Sequence, residues 1–176
     1  RVARKPRDPG GPRLTCVDPA TLDVLGEIPW ASAADVRTAI ARAEAAGPAW
    51  AATPVEERAA RLLKARDWLL DNADEVCALV SKEVGKPRVE ALAADVFPAA
   101  DLITRYADRA ADVLADRDLT LANPLLRLAK ASRLVREPYG VVAVVSSWNY
   151  PVASPLSAIV FALLAGNTVV FKPSSR

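Results

Sequence analysis

Two apolar runs near the carboxyl end constrain this sequence more than anything else in it: Gly140-Val141-Val142-Ala143-Val144-Val145 and Thr168-Val169-Val170-Phe171. Each is continuous rather than alternating, the pattern of a strand buried on both faces of a parallel sheet. Residues 152–165 read as a helix, and Gly166-Asn167 is a stop signal. Strand, helix, strand of this length predicts a right-handed βαβ crossover, because parallel neighbours cannot be joined by a tight turn. A parallel sheet also needs helices on both faces and more than two strands. The sequence stops at Arg176, shortly after Phe171, where a further helix is expected, and opens on Arg1 rather than Met. Both ends are expected to be cut.

Upstream the punctuation is helical. Residues 1–13 are rich in Pro, Gly and Arg and are expected to be a flexible terminus. Leu14-Thr15-Cys16-Val17 and Val24-Leu25-Gly26-Glu27-Ile28-Pro29 flank Asp18-Pro19-Ala20-Thr21 and predict two short strands around a turn. Ser32 with Asp35 resembles a capping box that opens a helix to about Ala46, ended by Gly47-Pro48. Thr53-Pro54-Val55-Glu56 predicts a second start, with Thr53 as cap, running to Asp71. Asn72 then recaps the chain for a helix ending near Gly85, with Pro87 beyond it. A third helical pattern covers residues 88–115, and Pro98 is expected to kink or interrupt it. Residues 116–131 read as a connection and Leu134-Val135-Arg136 as a strand.

Composition narrows the chemistry. At 176 residues with 52% hydrophobic and 25% charged content, the chain can build a core and is not a disordered tract. Its 23 basic and 21 acidic residues leave a net charge of +2, too little to draw nucleic acid or an anionic membrane as partner. Arg1, Arg4, Lys5 and Arg7 cluster at the terminus, where solvation explains them. No run of about 18 apolar residues offers a membrane span. No secretory leader opens the sequence, and Cys16 and Cys77 read as reduced thiols of a cytoplasmic protein. Zero histidines exclude Ser-His-Asp and Cys-His catalysis and histidine-bearing zinc motifs from this chain. Chemistry here has to come from amides, hydroxyls, lysines or backbone dipoles.

The loop Ser146-Ser147-Trp148-Asn149-Tyr150-Pro151 follows the first buried strand, and ligands of open α/β sheets bind at the carboxyl ends of strands. Asn149 offers a neutral amide donor, suited to stabilising an oxyanion in acyl chemistry. Lys172, directly after the next strand, is placed to hold a ribose or phosphate. The residue types alone leave plainer readings open: Asn149 as a turn residue, Trp148 and Tyr150 as packing aromatics, Lys172 as an exposed strand-end lysine.

Three linked motifs, Arg136-Glu137-Pro138-Tyr139-Gly140-Val141-Val142, Trp148-Asn149-Tyr150-Pro151 and Ala165-Gly166-Asn167-Thr168-Val169-Val170-Phe171-Lys172-Pro173-Ser174, resemble the aldehyde dehydrogenase superfamily. Asp18-Pro19-Ala20-Thr21, Gly26-Glu27-Ile28-Pro29, Ala49-Trp50 and Glu83-Val84-Gly85-Lys86-Pro87 extend the likeness from about Val17 to the end. The resemblance implies an α/β fold, the front part of a doubly wound parallel-sheet cofactor-binding domain. Residues 14–120 would be its amino-terminal part, 121–139 a bridging and oligomerisation segment, and 140–176 the start of the βαβ core. It implies NADP or NAD as cofactor, an aldehyde oxidised to a carboxylic acid, and a homo-oligomer in the full-length form. Asn149 would take the role of the oxyanion-hole asparagine. Ser146, Trp148, Lys172, Ser174 and Ser175 fall where the family lines its cofactor groove; Tyr150, Ser154 and Ser157 fall on its substrate tunnel.

Two departures from the family pattern stand out. A proline is usual before Trp-Asn, and here it is Ser147; an acidic residue is common after Lys-Pro-Ser, and here it is Ser175. Cys16 and Cys77 read as structural, so the family's nucleophilic cysteine and general-base glutamate are expected outside this chain, which should be inactive alone. A second reading, of another class, is a truncated non-catalytic module that acts through subunit contacts at residues 121–139. A third is an unrelated nucleotide-binding α/β domain.

Overall fold

The computed structural model describes residues 12–175, which leaves most of the expected flexible terminus, and Arg176, outside the described residues. The chain begins with an antiparallel hairpin, β1 (Arg13–Val17) and β2 (Val24–Pro29), with a register shift between Cys16 and Val17. Its turn is organised by Asp18, whose Oδ1 accepts the Ala20 N–H at 2.8 Å. Helix α1 (Ala33–Ala51) opens on the expected capping box, Asp35 N–H to Ser32 Oγ at 3.2 Å and Ser32 N–H to Asp35 Oδ2 at 2.9 Å. It does not stop at Gly47-Pro48, as the sequence suggested. Pro48 lies inside the last turn, and the Trp50 indole donates to the Leu163 carbonyl at 3.0 Å, so a tertiary anchor carries the helix past two poor helix formers.

Helix α2 (Val55–Asp71) follows with Pro54, not Thr53, at the cap position and no side-chain capping bond. The Thr53 hydroxyl donates back to Ala49 O at 3.0 Å, finishing α1. Asn72 likewise ends α2 by donating to Trp68 O at 2.7 Å, and makes no side-chain cap for α3 (Ala73–Val84). In both places the polar side chain bonds a carbonyl behind it rather than an amide ahead. Gly85 ends α3 where the sequence predicted, as a left-handed cap at φ 78°. The interruption expected near Pro98 takes the form of a π-helical turn, Leu92–Val96, between α4 (Arg88–Ala91) and α5 (Phe97–Leu114). Pro98 sits in the first turn of α5, directly after that π-helical turn.

Strands β3 (Arg117–Leu119) and β4 (Ser132–Leu134) pair antiparallel around the short helix α6 (Pro124–Arg127). The sequence had placed one strand here at Leu134–Arg136 and none before it. Three-residue polar strands carry no alternation to read, and Arg136 is instead held by a bond to Ala115 O at 2.8 Å. The crossover then forms as predicted: β5 (Val141–Val145), α7 (Ala153–Leu164) and β6 (Thr168–Lys172), with β5 and β6 parallel from Val141↔Thr168 to Val145↔Lys172. Asn167, 4% exposed, ties its corner together: Oδ1 accepts the Gly140 N–H at 3.0 Å and Nδ2 donates to Ala162 O at 3.2 Å.

Burial on both faces of this sheet is not observed. Val144 is buried, but Val145 is 73% exposed and Phe171 41%, because only β5 and β6 form the sheet among the described residues. The core lies between helices instead. Ala59 and Leu62 of α2, Ile103, Ala107 and Ala110 of α5, and Val160 and Leu164 of α7 form one cluster. The alanines let α5 approach closely. A second cluster joins Leu69, Cys77, Val80, Ala91, Val96 and Ala99. Truncating Ile103 to alanine would cost about 2–5 kcal/mol.

Candidate active site

The loop after β5 leaves the sheet with one more ladder bond, Ser146 N–H to Lys172 O at 3.2 Å. It then crosses the carboxyl ends of β5 and β6 before entering α7. A hollow of about 90 Å³ opens there, lined by Ser146, Ser147 and Trp148 with Glu83, Pro173 and Ser174 among its other walls. Of the residues expected to line a cofactor groove, Ser146, Trp148 and Ser174 therefore meet in one place. Lys172 and Ser175 are exposed beside it and are not in its lining. The Lys172 ammonium donates to Pro173 O at 3.0 Å. A larger hollow of about 500 Å³, near Glu44 and Tyr139, contains none of the expected residues. It also borders the amino end of β5, the wrong end for a ligand of an open α/β sheet.

Asn149 is exposed, and its Oδ1 accepts the Ser147 hydroxyl at 2.7 Å. Its main-chain oxygen accepts the Lys86 ammonium at 2.6 Å. That lysine also lies 4.3 Å from the Tyr150 ring centroid, within cation–π range. On α7 the Ser157 hydroxyl donates to Ser154 O at 2.7 Å, while Ser154 itself is exposed. Both serines lie in the first turns of α7, next to the loop that carries Asn149.

Sequence reasoning missed what holds this loop. Asp95, in the π-helical turn, is fully buried, and its Oδ2 pairs with Lys86 at 2.9 Å with the lysine side chain only 8% exposed. Its Oδ1 accepts the Val152 and Ala153 N–H groups at 3.1 and 3.2 Å. These amides open α7 and have no helical partner of their own, and a carboxylate there also meets the positive end of the helix dipole. One buried carboxylate thus binds the start of α7, while its lysine binds the loop just before it. The available signal was a lone Asp inside the apolar stretch Ala91-Leu92-Ala93-Ala94-Asp95-Val96-Phe97.

Neither cysteine has the surroundings of a nucleophile. Cys77 is 5% exposed within the second core cluster, and burial pushes its thiol pKa up, away from the reactive thiolate. Cys16 is half-buried in β1. Among the described residues no cluster of His, Cys, Asp or Glu could hold a metal ion, and no helix is long and apolar enough to cross a membrane.

A parallel βαβ unit with a polar hollow at the carboxyl ends of its strands is the arrangement of nucleotide-binding α/β proteins. The profile of the aldehyde dehydrogenase family matches residues 7–176, and the chain belongs to that family. Its sequence is 37% identical over 161 residues to a 4,4'-diapolycopene aldehyde oxidase from Methylomonas sp., covering 92% of this chain and 30% of that protein. Its structure is similar to aldehyde dehydrogenase 21 from Physcomitrella patens in complex with succinate, at a TM-score of 0.88 and 29% identity, covering 97% of this chain and 35% of that one. It is also similar to an NADP-dependent glyceraldehyde-3-phosphate dehydrogenase from Bacillus halodurans complexed with NADP, at a TM-score of 0.84 and 35% identity, covering 94% and 34%. The chain spans about a third of the length of these relatives.

Proposed function

We propose that this chain is the cofactor-side portion of a cytoplasmic NAD(P)-dependent aldehyde dehydrogenase that oxidises an aldehyde to a carboxylic acid. The meeting of Ser146, Trp148 and Ser174 at the carboxyl ends of a parallel strand pair, with Asn149 on the same loop, carries this reading. The groove offers hydroxyls for a sugar or phosphate and a flat aromatic wall, which suit a dinucleotide, and Lys172 stands at its edge. The nicotinamide of NAD or NADP would supply hydride acceptance there. Relatives of similar fold have been solved with NADP and with nicotinamide adenine dinucleotide, which supports the cofactor class.

Asn149 is assigned the oxyanion donor. Its side-chain amide would stabilise the tetrahedral oxygen formed when a nucleophile adds to the aldehyde carbonyl. Tyr150, Ser154 and Ser157 would border the substrate. The nucleophile and its base belong to residues outside this chain, since Cys77 is buried and neither cysteine has a histidine to activate it. The 176 residues alone are expected to be inactive. The deciding test is Asn149→Ala in the full-length protein. Turnover should fall on the order of 100- to 1,000-fold with nucleotide affinity unchanged, measured by reduced-cofactor absorbance and by nucleotide titration. Wild-type turnover with chemistry rate-limiting would remove the assignment.

A specific observation also supports subunit contacts at residues 121–139. Leu125, Leu126 and Leu128 are 76%, 42% and 86% exposed on and just after α6, a group of neighbouring apolar side chains of the kind a partner surface can cover. This supports a homo-oligomer, and the reading as a purely non-catalytic module would rest on the same surface.

A further inference from the structure

The loop that carries Asn149 is held at two points, and each acts on a different part of the residue. Lys86, itself buried against Asp95, fixes the Asn149 main chain by bonding its carbonyl oxygen at 2.6 Å. The side chain stands exposed, and the backbone hold leaves its rotation free. Ser147 supplies the missing restraint, with Oγ donating to Asn149 Oδ1 at 2.7 Å. The serine is steadied in turn by Ser146, whose hydroxyl donates to the Ser147 main-chain oxygen at 3.1 Å. Among the described residues, Asn149 Nδ2 donates to none, so the outward edge of the amide is its donor edge.

We propose that Ser147 is a positioning residue for the oxyanion donor, orienting the Asn149 amide and strengthening its N–H. This rests on the assignment of Asn149 made above. A hydroxyl that donates to an amide oxygen draws electron density away from the amide nitrogen, so the N–H becomes a better donor through hydrogen-bond cooperativity. The arrangement is also selective. With an anionic oxygen against Nδ2, the Ser147 hydroxyl satisfies the other end of the amide from within the protein. The reversed amide would set Oδ1 against that negative oxygen. At the position where the family usually places a proline without a hydroxyl, this chain thus has a second polar group acting through the first.

The test uses the full-length protein and single-turnover formation of reduced nicotinamide, so that product release does not mask the chemical step. Because Ser147 also lines the groove, the rate is read at saturating nucleotide, where Ser147→Ala should slow the step about 3- to 10-fold, the effect of one neutral hydrogen bond. Ser147→Thr keeps the hydroxyl and should restore most of the rate. The double variant Ser147→Ala/Asn149→Ala should be no slower than Asn149→Ala alone, because the serine acts only through the amide. An unchanged rate for Ser147→Ala beside a slow Asn149→Ala would overturn this inference and leave the oxyanion assignment standing. Independent, multiplying losses in the double variant would also overturn it. A normal rate for Asn149→Ala would remove the assignment and this inference with it.

Discussion

The loop at 146–152 and the β3–α6–β4 segment are both largely exposed excursions from the helical core, yet they are held in different ways. The loop is pinned from below by an ion pair whose Asp95 side chain is fully buried and whose Lys86 side chain is 8% exposed. The β3–β4 segment has Arg133–Asp118 at 2.9 Å, with side chains 59% and 78% exposed. A buried pair cannot be replaced by water when it breaks, whereas an exposed pair can. The contrast matches the work proposed for each region. A loop that presents a catalytic amide needs its geometry fixed within its own subunit. A segment proposed to meet a neighbouring subunit needs only its approximate shape, which that partner would complete.

The largest way to break this contrast is at Asp95. Asp95→Ala removes the acceptor that the opening amides of α7 have among the described residues and leaves Lys86 buried without its carboxylate. Losing one partner of a buried pair costs about 3–5 kcal/mol, to be read from chemical denaturation. A loss below about 1 kcal/mol would mean that water readily replaces the carboxylate and that the loop is not pinned as described. Replacing both partners at once, Lys86→Met with Asp95→Leu, should cost less than Asp95→Ala alone, since no orphaned charge remains. The loop should nevertheless lose its hold on the Asn149 carbonyl, so turnover should stay low while stability recovers.

How far the sequence revealed each region follows from the range of the interactions. The βαβ unit was legible because continuous apolar runs and a Gly-Asn stop are local signals. Ser32 and Asp35 were legible for the same reason, as a pair three positions apart whose groups answer each other. Pro48 misled because the anchor that extends α1 lies on α7, through Trp50 and Leu163. Thr53 and Asn72 were correctly seen at helix boundaries, but their side chains serve the helix behind them. Lys86 and Asp95 are nine positions apart, on either side of the start of α4, and meet through the tertiary fold, with Asp95 in the π-helical turn. Pattern could suggest Ser146, Trp148 and Ser174 for one groove; it could not show that Lys172 turns to its neighbour's carbonyl. It also gave no sign that Ser147 bonds the Asn149 side chain.

An intermediate effect is expected at Ser175, which is exposed at the edge of the groove region. A carboxylate here would repel the 2′-phosphate of NADP, which carries about two negative charges. Serine lacks that repulsion, and Lys172 adds a positive charge nearby in sequence. The full-length protein is therefore expected to use NADP at least as well as NAD. Ser175→Glu should shift the ratio of kcat/KM values toward NAD by roughly 1–3 kcal/mol, through weaker NADP use. A strong wild-type preference for NAD, or an unchanged ratio in the variant, would take Ser175 out of cofactor choice.

The smallest stability effect should come from the β3–β4 segment, and it sharpens the comparison from the other side. Asp118→Ala breaks the Arg133 pair, which is too exposed to contribute more than about 0.2–1 kcal/mol. Its folding stability should stay within that range of wild type and converge further in high salt, since exposed charges are screened. The leucines differ, because their cost appears only on assembly. Leu125→Glu with Leu128→Glu removes no buried contact, both side chains being largely exposed in this chain. Folding stability measured at low protein concentration should change little. The assembled state of the full-length protein should instead dissociate at higher concentrations than wild type, by sedimentation or light scattering, because two carboxylates would have to enter a closed contact. Unchanged assembly would place the subunit interface elsewhere and leave these leucines without a partner. A large loss of stability in the isolated subunit would show that the segment is held by its own fold, as the loop at 146–152 is, and the distinction between the two regions would fail.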